Sequence, residues 1–254
     1  MIRLALLLIA LATPAAAFDA FAAAGIDARP GANVPLDRPF FDESGRTVTL
    51  AGISGGRPIV LAPVLHACPN ICGVTLAGLA QAIAQQPYRA GTDFALVAFG
   101  IDPMETTADA AGSLDRLRQA FPEVADIHGL TGAAADVEAV TDALGYRYAW
   151  DPEIGQFAHM AAAAVLTPDG RLAAWLYGIA PDPKDLKLAL TSAGQGQLGS
   201  WGDQLLLLCF HYDPKTGRYG SLVTGMLQAA GVATAGGGAL LIGLALWRER
   251  RRRP

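Results

Sequence analysis

The chain has 254 residues and a formal net charge of −4, with 52% hydrophobic and 17% charged residues. This composition is too apolar for a disordered chain, and the acidic balance argues against a nucleic-acid partner, because the only dense basic run lies at the extreme C-terminus. A chain of this length has room for one domain of ordinary size together with targeting segments.

The N-terminus has the layout of a secretory signal peptide. Arg3 is followed by the apolar run Leu4 to Leu11 and then by small residues that end at Ala17, a pattern typical of a signal with a cleavage site. We therefore expect a signal peptide over 1–17. An uncleaved N-terminal membrane helix is the alternative, although this run is shorter than the roughly 20 residues that a span needs. Export is expected in either case.

Strand-like and helix-like segments alternate between residues 35 and 195. In chain order the predictions are a hairpin (Phe40 to Asp42 and Thr47 to Leu50), a strand (Pro58 to Leu65), a helix (Gly73 to Gln85), a strand (Phe94 to Ile101), a helix (Ala108 to Ala120), a strand (Ile127 to Thr131), a helix (Ala133 to Leu144), a hairpin (Met160 to Thr167 and Arg171 to Tyr177) and a helix (Asp182 to Thr191). Such alternation predicts an α/β domain whose central mixed sheet is covered on both faces.

Two cysteines lie between a predicted strand and a predicted helix, in the segment Cys68-Pro69-Asn70-Ile71-Cys72. Cysteines four residues apart can share one helical face, so that two thiolates converge on one ion, and soft sulfur ligands favour Cu(I) or Zn. A helix N-terminus also lowers thiol pKa, which favours metal binding and redox chemistry alike. In an oxidising compartment a simple disulfide between these cysteines is the alternative, and the spacing leaves it open.

Histidine is the residue type most suited to complete such a site. Four histidines are present: His66, His128, His159 and His211. His159 directly precedes the apolar strand that starts at Met160 and could face the cysteine loop from the next strand of the sheet, so it is the best candidate for a third ligand. A surface or capping histidine is the alternative. We expect His66 and His128 to be structural, although His66 is close enough to Cys68 to substitute as a ligand.

A second candidate metal site, Cys209 with His211, lies in the segment 196–221. Alternate positions of a strand would present both side chains to one ion, and Met226 could add a thioether. A juxtamembrane turn is the favoured alternative, since Asp213-Pro214 and Thr216-Gly217 have turn chemistry.

The stretch Leu222 to Trp247 is apolar and uncharged, and it precedes the basic tail 248–254. It exceeds the roughly 20 residues of a membrane span, and the positive-inside rule holds an arginine-rich tail on the cytoplasmic face. We therefore expect one C-terminal transmembrane helix over 222–247, with the domain on the periplasmic side of the cell membrane. A buried helix of a globular core is the alternative.

From roughly Pro35 to Thr191 the chain resembles the Sco/SenC family, whose members have a thioredoxin-like fold, bind copper and serve in cytochrome c oxidase assembly. The resemblance rests on three motifs in order: the cysteine segment, then Ile101-Asp102-Pro103, then His159 followed by Thr167-Pro168-Asp169-Gly170-Arg171. It implies a thioredoxin-like α/β fold with a central mixed sheet. It also implies that Cys68, Cys72 and His159 are copper ligands and that Asp102, near the site, assists transfer or partner recognition.

The chain departs from the family pattern at several positions. Asn70 and Gly73 stand where the family usually has aspartate and proline, and Met104-Glu105-Thr106 lacks the family's second aspartate. Many members are held by an N-terminal helix, whereas the anchor expected here is C-terminal. These departures leave the implied ligand set intact.

The resemblance implies a membrane-anchored copper chaperone, rather than an enzyme, that delivers copper during cytochrome c oxidase assembly. The implied cargo is Cu(I), with Cu(II) binding left open, and the implied partner is the copper-bearing oxidase subunit or another copper chaperone. A disulfide between Cys68 and Cys72 would abolish binding, and its reduction would restore it. The main alternative is a thiol-disulfide oxidoreductase acting on oxidase subunits or other exported proteins, although dedicated dithiol exchangers favour Cys-x-x-Cys. A peroxidase and a purely structural tether are further alternatives.

Overall fold

The structure, a computed structural model, describes residues 19–67, 72–196, 212–213, 218–219, 231–232 and 234–238. The chain divides into two units, Met1–Gly199 and Ser200–Pro254. The predicted signal peptide at 1–17 lies outside the described residues, as do both members of the second candidate metal site, Cys209 and His211.

The first unit contains the predicted strands and helices in their predicted order, together with shorter elements that were not predicted. Its helices are α1 (Ala20–Ala23), α2 (Leu50–Ser54), α3 (Cys72–Ala84), α4 (Thr107–Ala120), α5 (Ala134–Leu144) and α6 (Pro183–Gly194). Its strands are β1 (Gly25–Ile26), β2 (Phe40–Phe41), β3 (Thr47–Val48), β4 (Ile59–Val64), β5 (Ala95–Gly100), β6 (Ile127–Leu130), β7 (Tyr146–Arg147), β8 (Ala149–Asp151), β9 (Gln156–Ala158), β10 (Ala162–Leu166) and β11 (Leu172–Tyr177).

The central sheet has the strand order β11-β10-β4-β5-β6. Strands β4, β5 and β6 are parallel, whereas β10 runs antiparallel to both β4 and β11. The sheet is therefore mixed, as predicted. Helices α3, α4 and α6 contribute to the core on one face, and α2 and α5 contribute to the core on the other.

The sequence of β4 is a continuous apolar run because the strand is buried on both faces of the sheet. Val60, Ala62 and Val64 belong to the core on the side of α3, while Ile59 and Leu61 belong to the core on the opposite side. Successive side chains of a strand point to opposite faces, so a strand covered on both faces needs apolar residues at every position. The same reasoning applies to β5, whose residues are all buried.

The two predicted hairpins are present, with somewhat shorter strands. Strand β2 pairs with β3, and β10 pairs with β11. The structure adds two pairings that the sequence analysis did not predict, β1 with β7 and β8 with β9. The segment around Asp151 is thus part of a short hairpin that leads to His159.

The second unit contains the antiparallel pair β12 (Tyr212–Asp213) and β13 (Arg218–Tyr219). The prediction of a C-terminal transmembrane helix over 222–247 is wrong for the part of the chain that is described. No helix among these residues is long and apolar enough to cross a membrane. The described residues of that range, 231–232 and 234–238, are helical, and the remainder of the range lies outside the described residues.

Candidate metal site

The strand order brings three predicted site segments to one edge of the central sheet. Val64 at the end of β4 pairs with Gly100 at the end of β5, so the residues that follow these two strands lie side by side. Because β10 runs antiparallel to β4, the residues just before β10 lie at this same edge. This edge therefore includes the loop that leads into α3, together with Asp102 and His159.

The structure describes the residues on either side of the segment 68–71. Cys72 is the first residue of α3, and Ala67 is the last described residue before the loop. Cys68 lies outside the described residues. Cys72 is thus at a helix N-terminus, as the sequence predicts.

His159 is held through its Nδ1 atom. The hydroxyl oxygen of Tyr146 lies 3.0 Å from this nitrogen, and the same hydroxyl donates to the carbonyl oxygen of Met160 at 2.7 Å. The carbonyl of Met160 also lies 3.3 Å from Nδ1. Since the hydroxyl proton is directed to the carbonyl, we assign the ring proton of His159 to Nδ1, which leaves the lone pair on Nε2.

Burial favours the neutral form of His159. It lowers the pKa of the imidazole because the charged form loses hydration, although the carbonyl of Met160 acts in the opposite direction. A neutral imidazole with its proton on Nδ1 is the form that binds a metal ion through Nε2. The chemistry of His159 therefore fits a metal ligand.

Asp102 begins the loop that leaves β5. Its carboxylate accepts a 2.8 Å hydrogen bond from the backbone N–H of Met104, and the side chain of Met104 is highly exposed. This hydrogen bond is local and stabilises a turn. The structure thus places Asp102 at the predicted edge and gives it a structural contact there.

Glu105 is a residue of this edge that the sequence analysis did not assign to the site. Its Oε1 accepts a 2.7 Å hydrogen bond from the backbone N–H of Ala67. Burial raises the pKa of this carboxyl, although the N–H groups of Ala67 and His66 act to lower it. Its Oε2 is buried and has no hydrogen-bond partner among the residues described.

His66 is only 2% exposed and lies in the core rather than on the surface. Its Nε2 lies 3.1 Å from the carbonyl oxygen of Leu130, an acceptor, so this nitrogen carries the proton. Burial lowers the pKa of the ring and keeps it neutral, although the hydrogen bond to Leu130 acts to raise it. The structural role expected for His66 agrees with this contact.

The remaining candidate ligands do not join the edge in the described chain. His128 lies on β6, where its Nε2 is 3.5 Å from the carboxylate of Asp126. Among the described residues, no group of three or more His, Cys, Asp or Glu side chains is arranged to hold a metal ion. Because Cys68 is not among these residues, the set Cys68, Cys72 and His159 stays a prediction.

Two comparisons with known proteins bear on the family. The family model SCO1/SenC matches residues 29–193 of the chain. A sequence search among curated proteins gives no match.

Solved structures share the fold. A putative electron transfer protein from Aquifex aeolicus VF5 is 23% identical and superposes with a TM-score of 0.58, over 66% of this chain and 96% of its own. ScoI from Arabidopsis thaliana, with copper bound, is 21% identical and superposes with a TM-score of 0.51, over 66% of this chain and 99% of its own. A third structure is that of BsSco, a member of the Sco family of cytochrome c oxidase assembly proteins in which a disulfide switch was identified. It is 19% identical and superposes with a TM-score of 0.50, over 66% of this chain and 97% of its own. The predicted thioredoxin-like α/β fold is confirmed.

Proposed function

The chain belongs to the SCO1/SenC family, and on that premise we propose that its thioredoxin-like domain binds copper through Cys68, Cys72 and His159 and hands it on during cytochrome c oxidase assembly. The proposal depends on one structural observation. The antiparallel pairing of β10 with β4 brings His159 to the sheet edge at which α3 begins with Cys72.

The proposed donor set suits Cu(I). Two thiolates and one imidazole are soft or borderline ligands, which copper prefers over hard cations such as magnesium. The tautomer of His159 supplies Nε2 as the donor atom, because Nδ1 is engaged by Tyr146 and Met160. A site with only three protein ligands leaves room for a partner's ligand to enter, so that copper passes from one protein to the other by stepwise exchange.

Solved relatives support copper as the cargo. The Arabidopsis ScoI structure has copper bound, and BsSco belongs to a family of cytochrome c oxidase assembly proteins. Both share the fold of this chain. We therefore propose as the acceptor the copper-bearing subunit of the oxidase or another copper chaperone.

The redox state of the cysteines would control loading. A disulfide between Cys68 and Cys72 would remove both thiolates, and reduction by a partner would restore them. Such a switch needs an oxidising compartment, which agrees with the export that the sequence of residues 1–17 predicts. We propose that the domain works on the periplasmic side, and mass spectrometry of the mature N-terminus tests whether residues 1–17 are removed.

Anaerobic titration of the reduced full-length protein with Cu(I) tests the function. We expect one tightly bound copper in the wild type, loss of that copper in Cys68→Ser and in Cys72→Ser, and retention in the control Cys209→Ser. Undiminished binding in the first two variants would contradict the ligand set. A wild type that binds no copper but rapidly exchanges disulfides with a dithiol substrate would identify a thiol-disulfide oxidoreductase instead.

A further inference from the structure

The segment that leads into Cys68 is held at two consecutive residues. The side chain of His66 donates to the carbonyl oxygen of Leu130 at 3.1 Å, and the backbone N–H of Ala67 donates to Oε1 of Glu105 at 2.7 Å. Both contacts join residues that are far apart in the chain, by 64 and 38 positions. The last two residues before the cysteine lie in a turn and are also held by long-range contacts.

The first of these contacts crosses the sheet. His66 follows β4, and Leu130 ends β6, so the imidazole reaches over the end of β5 between them. Gly100 lies at that end. A Cβ atom added to Gly100 would stand 2.8 Å from the carbonyl oxygen of Leu130 and 3.0 Å from Cδ2 of His66, so the glycine provides the space that this contact needs.

The second contact uses a carboxylate that is costly to bury. Oε2 of Glu105 has almost no exposed surface and no hydrogen-bond partner within the described part of the chain. A buried polar atom without a partner lowers the free energy of unfolding, and such exceptions concentrate at functional sites. Asp102, three residues earlier, also bonds a backbone N–H at the same edge, but that contact is local. The hydrogen bond of Glu105 instead joins residues 38 positions apart, so a local turn does not explain it.

We propose that Glu105 is a positioning residue for the copper site. Its Oε1 accepts a 2.7 Å hydrogen bond from the N–H of Ala67, a contact that either protonation state of the carboxyl can make. By fixing the peptide immediately before Cys68, it limits the directions in which the first cysteine leaves the end of β4. Residues that orient metal ligands in this way affect metal affinity without touching the ion. This inference rests on the proposed function, because it assumes that Cys68 is a copper ligand.

Variants of Glu105 in the full-length reduced protein test the inference. Glu105→Met removes the acceptor and keeps much of the buried volume, and Glu105→Ala removes both. Glu105→Gln keeps a carbonyl oxygen that can accept from Ala67. Glu123→Ala, at an exposed position on a short 3₁₀ turn, is the matched control.

Two measurements apply to each variant: amide hydrogen exchange over residues 65–72 without copper, and Cu(I) affinity by competition with a chelator. In Glu105→Met and Glu105→Ala we expect exchange to become at least about 10-fold faster and affinity to fall by about 10- to 100-fold. Glu105→Gln should keep most of the wild-type protection from exchange and most of the Cu(I) affinity. Glu123→Ala should match the wild type in both measurements. Thermal unfolding confirms that each compared variant is folded.

The possible results distinguish failure of this inference from failure of the proposed function. Equal Cu(I) affinity in wild type, Glu105→Met and Glu105→Ala overturns the inference and leaves the proposed function intact. Affinity that falls while exchange over residues 65–72 is unchanged also overturns it, because the loss then has another origin. A wild type that binds no Cu(I) overturns the proposed function itself, and this result is recognisable before any variant is compared.

Discussion

The hydroxyl of Tyr146 connects His159 to the main chain of Met160, lying 3.0 Å from Nδ1 of the histidine and donating at 2.7 Å to the carbonyl oxygen. Tyr146 is 2% exposed, and its ring stacks on Trp175 with the ring centroids 5.8 Å apart. The tyrosine is therefore rigid. Through it the hydrophobic core orients the imidazole that we propose as a copper ligand.

Tyr146→Phe should weaken copper binding while the fold is retained. The substitution removes the oxygen that faces Nδ1 of His159, and loss of such a partner typically lowers metal affinity by about 10- to 100-fold. We expect the free energy of unfolding to fall by about 1 kcal/mol for the lost hydrogen bonds. Competition titration with Cu(I) and urea denaturation measure the two effects.

Tyr148→Phe is the matched control for this substitution. Tyr148 lies in the same aromatic cluster, with ring centroids 6.3 Å from Tyr146, but its hydroxyl lies near the side chain of Thr141. It should lose stability to a similar extent and keep the copper affinity of the wild type. Equal copper affinity in both variants would contradict the orienting role of Tyr146.

His159→Ala should abolish tight copper binding with little effect on the secondary structure. The histidine lies outside the strands, between β9 and β10, so its removal leaves the sheet pairing in place. His128→Ala is the control, because His128 lies on β6 with Asp126 as its neighbour. The measurement is copper stoichiometry together with circular dichroism. Retained tight binding in His159→Ala, with loss in His128→Ala, would reverse the assignment.

The strands of the central sheet could be predicted from sequence because they are buried on both faces. The apolar run Pro58 to Leu65 predicts β4 to within one residue at each end, and Phe94 to Ile101 does the same for β5. The strands of the β8–β9 hairpin have three residues each, too few to show an alternating pattern, and they were not predicted.

Hydropathy misled the interpretation of the C-terminal region. The apolar stretch 222–247 has the length of a membrane span, but among the described residues no helix is long and apolar enough to cross a membrane. A prediction from hydropathy uses only the composition and length of a stretch.

The contacts that orient the candidate site could not be predicted from sequence. Ala67 and Glu105 are 38 residues apart, and Tyr146 and His159 are 13 residues apart. Neither pair has a spacing that marks a helix face or a strand pair, because the contacts depend on the order of strands in the sheet. The two cysteines and His159 were candidate ligands from the sequence pattern, and the family resemblance implied the full ligand set. Neither gives a partner for Nδ1 of His159.

The β2–β3 hairpin should lose stability in acid because of Asp42. Burial alone would raise the pKa of this carboxyl, but hydrogen bonds from Ser44 and Arg46 outweigh it and lower the pKa to about 2, from 3.8. A group whose pKa is lowered by folding stabilises the protein above its unfolded pKa, and this stabilisation is lost as the pH falls through the folded value. The affected range is therefore from about pH 4 down to about pH 2.

Asp42→Asn tests this pH dependence. At neutral pH the free energy of unfolding should fall by about 2 kcal/mol, because hydrogen bonds to a charged acceptor are replaced by weaker ones. The difference between wild type and variant should shrink as the pH is lowered from about 4 to about 2. Urea denaturation at a series of pH values measures it, and a difference that is constant over this range would refute the explanation.

Gly78→Ala should destabilise the domain and disturb the copper site, although alanine favours helix. Gly78 lies in α3, where an added Cβ would stand 2.2 Å from the carbonyl oxygen of Ile179 and 2.9 Å from Cα of Ala180. These are backbone atoms, so either α3 or the loop at residues 179–180 must shift. Overpacking of this kind costs about 1–3 kcal/mol, more than the gain of about 1 kcal/mol from replacing a helical glycine.

Gly112→Ala provides the opposite case within α4. There the added Cβ would meet only the end of the Arg116 side chain, at 3.7 Å, so the helix-propensity gain of up to about 1 kcal/mol should appear as increased stability. Because α3 begins at Cys72, a shift of α3 in Gly78→Ala also moves a proposed ligand, and Cu(I) affinity should fall in that variant alone. Thermal unfolding and chelator competition measure both effects. Equal stability changes in the two variants would show that α3 does not pack tightly against the loop at residues 179–180.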